Sequence, residues 1–514
     1  MKRSSDLFLL IHSLDRNEKR YFKLFAAKYS SNKKNKYLEL FDAIGSMEEY
    51  DELKLKKKLS GKNLSSNLSA QKNYLYNLTL QSLRNYPEHN STGSEIKDLL
   101  REVEILYKKG LYDQCAKLLG RARLKAEKYE KFPALLEIIE WEGLILLLNE
   151  NAGLAEDHIN SRLPEARHYI EKIENTLGYT ENHFNMFCKA VQYGEVRSPL
   201  FLEELERIVN LPAYLDERNA KTFMSKYYLY FLLGLFYRRT GNIEKLSMHC
   251  TRELNLFNEY PGMKKELAAL YVNSLINSCV NLLELERYDE CQATLETLKK
   301  ADARSVVINM KSSARYFSIY TNIITHTGDF RKITELVKGI DHFVGENSGR
   351  LKKSAEILIY FNAAYCFFGN GNFKQSLHWL NKLLHDPVLE RGFPDLHCFA
   401  RMLNLLIHYE LGNYDLLDHV LRSTKRYLNK NEQLYEVEEL VLRFIENIRN
   451  ENSGNKIAEG FAKFRKNYLS ITSDPAKPVW SRYFDFSSWA LSKIENISFE
   501  EAVKKTNNNT GVQM

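Results

Sequence analysis

The stretch Phe368-Gly369-Asn370-Gly371-Asn372-Phe373 contains two glycines separated by a single residue. Such a stretch is typical either of a loop that binds phosphate or of a tight turn between two helices. A P-loop requires GxxxxGK[ST], which the chain lacks, and a dinucleotide fingerprint requires a third glycine where this chain has Phe373 and Lys374. The preceding segment, 355–368, has helical periodicity. We therefore predict a corner at which one helix ends and the next begins.

The same form, glycine followed two residues later by an aromatic residue, recurs along the chain. The corners are centred on Gly110, Gly328, Gly371 and Gly412, on Gly241 with isoleucine in place of the aromatic residue, and on Glu286 in place of glycine. Weaker corners fall at Gly153, Gly194 and Gly454. The spacing of roughly 40 to 47 residues is that of a repeated helical hairpin.

The chemistry of the corner explains its residues. A helix often ends at a residue in the left-handed conformation, which glycine adopts without a steric penalty. The apolar residue two positions later is expected to pack back on the helix that has just ended. The small or apolar residue three positions further on is expected where the two helices come closest, at Cys115, Leu246, Cys291, Ile333, Ser376 and Leu417.

This pattern resembles the tetratricopeptide repeat over roughly residues 95–470, with repeats longer than that family's usual 34 residues. The unit that resembles it most contains Tyr360, Ala364, Phe367, Gly371, Phe373, Ser376 and Leu383 and ends at Asp386-Pro387. A second contains Tyr230, Gly234, Tyr237, Gly241, Ile243 and Leu246 and ends at Pro261. The resemblance implies an all-α fold, a right-handed α-solenoid of helical hairpins, preceded here by a small helical N-terminal domain.

The resemblance also implies a concave groove, lined by the first helix of each hairpin, that binds a peptide or protein segment. Counted back from the corners, the lining is Tyr228, Phe231, Arg238, Arg239, Asn273, Ile276, Arg315, Asn322, Leu358, Phe361, Tyr365, Phe399, Met402 and Tyr409. Aromatic and basic residues suit a peptide with apolar anchors and acidic groups. The alternative is that the aromatic residues are core between helices. The family's carboxylate clamp is not predicted, because only Asn322 falls on a clamp position.

Residues 1–90 lack the corner pattern and predict about five helices. They contain 17 lysines and arginines against 10 acidic residues, whereas the rest of the chain has 56 of each sign, so all of the net charge of +7 lies here. A helix, a turn at Ser60-Gly61-Lys62 and a second helix form either a cap on the array or a DNA-binding element. The candidate nucleic-acid contacts are Lys54, Lys56, Lys57, Lys58, Lys62 and Lys72.

The sequence predicts four parts. These are a basic helical domain at 1–90, an array at 95–470 after a linker Ser91-Thr92-Gly93-Ser94, capping helices at 476–505 and a disordered tail at 506–514.

Sequence motifs give no indication of catalysis. The chain contains no HExxH or GxSxG motif and no Cys/His set with zinc spacing, so we predict neither an enzyme nor a metal or cofactor site. Seven cysteines without CxxC spacing suit a reducing compartment, and no apolar run reaches the ~18 residues of a membrane span. We therefore expect a cytoplasmic protein without a membrane partner.

Two hypotheses about function follow. The first is a scaffold that binds a protein or peptide segment in the groove of the array. The second is a transcriptional regulator whose basic N-terminal domain binds DNA while the array senses a peptide or protein.

Overall fold

The computed structural model describes residues 5–28, 36–59, 67–86, 91–148, 152–193, 199–302, 305–384, 386, 394–430, 436–449, 451, 453–472 and 484–510. These residues form an all-α chain, and none of them lies in a β-strand. The chain divides into two compact units, 1–174 and 175–514. The division falls inside a 31-residue helix, α10, rather than at the predicted linker 91–94.

The first unit begins with five short helices, as the sequence predicts for residues 1–90. They are α1 (Asp6–Ser13), α2 (Arg16–Lys28), α3 (Lys36–Gly45), α4 (Glu52–Lys58) and α5 (Leu68–Arg84). Asp15 caps α2: its Oδ1 accepts from the Glu18 N–H at 2.8 Å, and Glu18 Oε2 accepts from the Asp15 N–H at 2.7 Å. The buried faces of these helices form one core, which includes Phe22, Phe41 and Leu75.

The remaining helices of the first unit are α6 (Thr92–Tyr107), α7 (Tyr112–Lys128), α8 (Phe132–Leu148), α9 (Ala152–Asp157) and the first part of α10 (Leu163–Tyr193). The buried faces of α6, α7, α8 and this part of α10 form a second core. The predicted linker at 91–94 is wrong, because Ser91 is the N-cap of α6 and its hydroxyl accepts from the Ser94 N–H at 3.1 Å. The weak corner predicted at Gly153 is also wrong, since this residue lies inside α9. Gly194 lies outside the described residues.

The second unit is a succession of helical hairpins. After the end of α10 come α11 (Pro199–Val209), α12 (Pro212–Leu215), α13 (Phe223–Arg239), α14 (Ile243–Glu259), α15 (Pro261–Glu266), α16 (Ala268–Glu284), α17 (Tyr288–Lys300), α18 (Val306–Thr327), α19 (Ile333–Glu346), α20 (Lys353–Gly369), α21 (Phe373–Leu384), α22 (Pro394–Glu410), α23 (Tyr414–Lys430), α24 (Glu436–Ile448), α25 (Gly454–Thr472), α26 (Phe486–Glu495) and α27 (Phe499–Thr510).

The corners have the conformation that the sequence predicts. The central residue has a positive φ at all six strong corners, Gly110, Gly241, Glu286, Gly328, Gly371 and Gly412. Glu286, with φ 58°, adopts this conformation although it has a Cβ. The residues five positions after each corner are all at most 2% exposed where they are apolar, and Ser376 is fully buried.

The close approach of the two helices is visible in hydrogen bonds across two of the hairpins. Ser376 Oγ donates to the Ala364 carbonyl at 2.6 Å, and Cys291 Sγ donates to the Cys279 carbonyl at 3.3 Å. In each pair the acceptor lies twelve residues earlier, on the first helix of the hairpin. A small side chain at this position therefore lets the helices touch, as the sequence predicts.

The stretch 368–373 forms the corner between α20 and α21. Gly371 is the left-handed residue, with φ 72°, and Asn372 caps the following helix through Oδ1, which accepts from the Gln375 N–H at 3.2 Å. Gly369 has a different role, because a Cβ at this position would overlap the buried ring of Phe330 from the preceding corner. Both glycines are thus required by a helix corner.

Consecutive hairpins of the second unit pack against each other. The first helices α16, α18, α20 and α22 contact one another in that order, and α14 packs on α16. Asn362 on α20 donates to Thr321 Oγ1 on α18 at 3.1 Å, in a buried position between two hairpins. This arrangement is compatible with a helical repeat array.

Candidate partner-binding face

The residues predicted to line a groove lie on the first helices of the second unit, and the structure divides them into two groups. The closed group comprises Phe361, Tyr365 and Tyr409, with Leu358, Phe399 and Met402 on the same helices. The open group comprises Tyr228, Phe231, Arg238, Arg239, Asn273, Arg315 and Asn322, whereas the predicted groove residue Ile276 on α16 is buried in the core. We call the side of α13, α16 and α18 that carries the open group the open face.

Two side chains of the closed group, Tyr365 and Tyr409, contact the C-terminal segment of the same chain. Tyr365 is 7% exposed, and its hydroxyl accepts from the Asp485 N–H at 3.1 Å. Its ring lies 4.8 Å from that of Phe484. Phe361 is also buried. Neither side chain has surface to offer to a partner while the C-terminal segment is in place.

Tyr409 and its neighbour Glu410 contact helix α26. The ring of Tyr409 lies 6.0 Å from Trp489. Glu410 accepts from the Trp489 indole N–H at 2.7 Å and from the Lys493 ammonium at 2.6 Å. The last turn of α22 is therefore held by one aromatic contact and two hydrogen bonds to a carboxylate.

Helix α27 extends the same cover to the corners of two earlier hairpins. The ring of Phe499 packs against Phe330 and Phe368, with centroids 5.5 and 5.7 Å apart. Lys504 forms an ion pair with Asp329 at 3.3 Å, and the Asn507 amide donates to the His326 carbonyl. The pair α26–α27, here called the C-terminal hairpin, thus contacts the ends of α18, α20 and α22.

Part of the predicted tail belongs to this hairpin. The sequence predicts disorder from residue 506, whereas α27 continues to Thr510. Thr506 Oγ1 contacts Ser488 Oγ at 3.0 Å, which joins α27 to α26. Trp480 and Tyr483, which belong to the predicted capping segment 476–505, lie outside the described residues.

In the open group, Tyr228 and Phe231 are half-buried against helix α10. His183 stacks on Tyr228 with ring centroids 4.6 Å apart and meets the edge of Phe231 at 5.1 Å. Burial lowers the pKa of His183, so this ring is neutral at pH 7. Both aromatic residues thus take part in helix packing, as the alternative interpretation of the sequence expects, while keeping part of their surface exposed.

The two arginines at the end of α13 are already engaged within the chain. Arg238 lies 3.5 Å from the carboxylate of Glu284 on α16, and the guanidinium of Arg239 lies 5.7 Å above the ring of Phe201. Asn322 donates its amide to the Ser318 carbonyl of its own helix at 2.9 Å. Arg238, Arg239 and Asn322 therefore each have a partner within the chain.

Arg315 on α18 differs from the other open-group cations, because it is exposed and forms no ion pair among the described residues. Lys311, one turn earlier on the same helix, is exposed as well. Partial burial, and then the charges of Arg315 and Lys352, lower the pKa of Lys311. Lys311 and Lys352 are not among the residues predicted to line the groove. The four-residue spacing between Lys311 and Arg315 could have identified Lys311 as a neighbour on the same side of α18. No such spacing identifies Lys352, because it belongs to the next hairpin.

A buried carboxyl lies beneath the open face. Glu253 on α14 is enclosed and accepts from Ser274 Oγ at 2.6 Å and from Asn277 Nδ2 at 3.4 Å, both on α16. Burial raises the pKa of Glu253 to about 7, although these two hydrogen bonds and the charge of Arg238 act in the opposite direction. No sequence motif singled out this residue.

Among the described residues, most of the candidate nucleic-acid contacts have acidic or polar partners within the chain. Lys72 is 9% exposed and forms an ion pair with Glu52 at 3.0 Å and a hydrogen bond with the Tyr50 hydroxyl at 2.9 Å. Its ammonium therefore lies in the packing between α4 and α5.

The lysines of α4 have local partners. Lys56 pairs with Glu52 at 3.3 Å, and Lys54 lies 3.8 Å from Asp51. Lys58 donates to Ser46 Oγ at 2.6 Å. Lys57 is exposed, and Lys62 lies outside the described residues. Helix α4 has only seven residues.

Other kinds of site were sought in the described part of the chain. No group of three or more His, Cys, Asp or Glu side chains there could hold a metal ion. No helix there has the length and apolar character needed to cross a membrane.

The chain matches no protein-family model, and a search of curated proteins finds no significant match to it.

Proposed function

We propose that this protein is a non-enzymatic interaction scaffold, a right-handed α-solenoid of tetratricopeptide-like hairpins that holds a segment of another protein against the open face. The proposal is supported by the recurrent corners, by the packing of consecutive hairpins and by the small residues at their closest approach. Repeats of this kind commonly use the side of their first helices to bind peptides.

The observation that carries the proposal is the contrast between the two groups of first-helix residues. The chain's own C-terminal segment, residues 484–510, contacts Tyr365 of the closed group through Phe484 and Tyr409 of the closed group through Trp489. The open face has partly exposed aromatic residues and the unpaired cation Arg315 within the described residues. Within this chain, first helices thus already hold one segment that has aromatic anchors, namely residues 484–510.

The proposed compartment is the cytoplasm. Six of the seven cysteines are buried free thiols, and the seventh, Cys188, is also free. Unpaired cysteines in this number suit a reducing environment. The lysines of α4 and α5 lend no particular support to the alternative function as a DNA-binding regulator.

Display of random 15-residue peptides, selected on the full-length protein, tests the proposal. We expect selected peptides to bind and to slow amide hydrogen exchange in α13, α16 and the first half of α18. Exchange in α19 and α21, the second helices of neighbouring hairpins, serves as the internal control. Failure to select any peptide, or protection confined to second helices, would contradict the proposal.

A further inference from the structure

Three cations converge where hairpin α18–α19 meets hairpin α20–α21. Lys311 and Arg315 are four residues apart on α18 and therefore share one side of the helix. Lys352 is the N-cap residue of α20, which packs against α18. The three side chains are exposed. We call this group the cation cluster.

The cation cluster has no internal counter-charge. Among the described residues, no carboxylate lies within ion-pair distance of Lys311, Arg315 or Lys352. Glu356 on α20 and Asp386, which follows α21, pair instead with Lys353, at 2.8 and 3.0 Å. Holding three like charges together without a partner costs electrostatic free energy, which a bound anion would reverse.

An apolar surface continues the same side of α18. Val307 precedes Lys311 by four residues and is 67% exposed, and Val306 is exposed to the same extent. Successive turns of α18 thus present an apolar residue, Val307, and then two cations, Lys311 and Arg315. Such an order matches a peptide in which an apolar anchor stands next to acidic side chains.

We propose that Lys311, Arg315 and Lys352 form a recognition site for the acidic side chains of a bound peptide, with Val306 and Val307 contacting its apolar anchor. This inference rests on the proposed function and names the chemistry of the segment that the open face holds. Carboxylate and phosphoryl groups share the required charge and acceptor oxygens, and Arg315 can bind either with two N–H groups.

Three fluorescein-labelled 15-residue peptides test the site by fluorescence anisotropy with the full-length protein. The first has leucine and tyrosine anchors flanked by glutamates, the second has glutamine in place of each glutamate, and the third has phosphoserine there. We expect the first or the third to bind, with an affinity that falls as salt rises, and the glutamine peptide to bind at least about tenfold more weakly. The better of the two acidic peptides identifies the anion.

The double variant K311E/R315E should weaken binding of the acidic peptide by at least about tenfold, because two attractions become repulsions. The matched control is K338E/K374E, which makes the same change in net charge at exposed positions of α19 and α21. Equal thermal unfolding midpoints of both variants establish that each is folded.

The outcomes separate this inference from the proposed function. If display-selected peptides bind but are not acidic, and K311E/R315E leaves their affinity unchanged, the cation cluster is not a recognition site and the scaffold proposal stands. If no selected or designed peptide binds, both proposals fail. Loss of binding in K311E/R315E but not in K338E/K374E supports both.

Discussion

The indole N–H of Trp489 donates to the carboxylate of Glu410 across 2.7 Å, although 79 residues separate them in the chain. Around this bond the indole ring packs against Phe461, with centroids 5.1 Å apart, and Trp489 is 1% exposed. The contact fixes the C-terminal hairpin on the first helix α22 and decides which part of the predicted groove is covered.

Replacing Trp489 tests how firmly that hairpin is held. W489A removes a large buried ring and should lower the free energy of unfolding by about 3 to 5 kcal/mol. W489F keeps most of the apolar contact but removes a donor from Glu410, which should cost about 1 to 2 kcal/mol. Urea unfolding followed by far-ultraviolet circular dichroism measures both. L469A, at a 43% exposed position of α25, is the control and should change the free energy of unfolding only slightly. If W489A changes it as little as L469A does, the packing of Trp489 described above is contradicted.

Glu253 predicts a specific dependence of stability on pH. Its pKa is about 7 in the folded chain and about 4.5 when unfolded, so the unfolded state releases the proton first as pH rises. The stability that the protonated carboxyl provides is present below pH 4.5 and is lost as pH rises through 7, a loss on the order of 3 kcal/mol. E253Q keeps a neutral side chain at every pH. As pH rises from 5 to 7.5, the unfolding midpoint of E253Q should therefore rise relative to that of the wild type.

The groups facing Glu253 affect the size of this effect but not its sign. They are Arg238 and Tyr227 on α13, Cys250 on its own helix, and Ser274 and Asn277 on α16. E244Q, at an exposed position of α14, is the matched control. A gap between E253Q and the wild type that stays constant from pH 5 to 7.5 would show that Glu253 does not titrate in this range.

Three glycine-to-alanine substitutions separate the roles of glycine in this chain. G369A places a methyl group in the buried ring of Phe330 and should destabilise by about 1 to 3 kcal/mol or more. G371A has free space but a φ of 72°, so about 1 kcal/mol is expected. G345A, inside α19 with no neighbour within 4 Å, should be neutral or stabilising. Thermal unfolding ranks the three, and a milder effect of G369A than of G371A would contradict the assignment.

Arg123 holds three helices of the first unit together. Its guanidinium lies 2.8 Å from Glu142 and 3.1 Å from Glu165, and it is 9% exposed. R123M leaves two partly buried carboxylates with Arg162 as their remaining cation and should cost about 1 to 3 kcal/mol. R121M, on the exposed side of α7, is the control. Adding E142Q and E165Q to R123M should recover part of the loss, and no recovery would indicate that packing, not charge, dominates.

The lysines of the N-terminal domain predict weak binding to DNA. Three of the six candidates lie within 4 Å of a carboxylate, so few remain to release counterions from phosphates. Anisotropy of a labelled mixed-sequence duplex should show no binding near physiological salt. Steeply salt-dependent binding that K54E/K57E abolishes would instead favour the regulator hypothesis.

The sequence predicts what local chemistry determines. All six strong corners have a positive φ, and even Glu286 was placed by its spacing and neighbours. The buried residues after each corner also follow from local rules. The contact between the C-terminal segment and the array could not be predicted from local rules. The hydrogen bond between Tyr365 and Asp485 joins residues 120 positions apart and leaves no periodic signal in the sequence. For the same reason Lys352 escaped notice, since it meets Lys311 only through the packing of two hairpins.

The cover formed by the C-terminal hairpin also has a consequence for the order of folding. Hairpins that touch only their neighbours can fold one after another as the chain leaves the ribosome. Phe330, Tyr365 and Tyr409 reach their final contacts only when residues 484–510 have been synthesised. Completion of this half of the array therefore waits for the synthesis of residues 484–510, and its last step closes long loops at an entropic cost. Until then the chain exposes a row of aromatic side chains that chaperones can recognise.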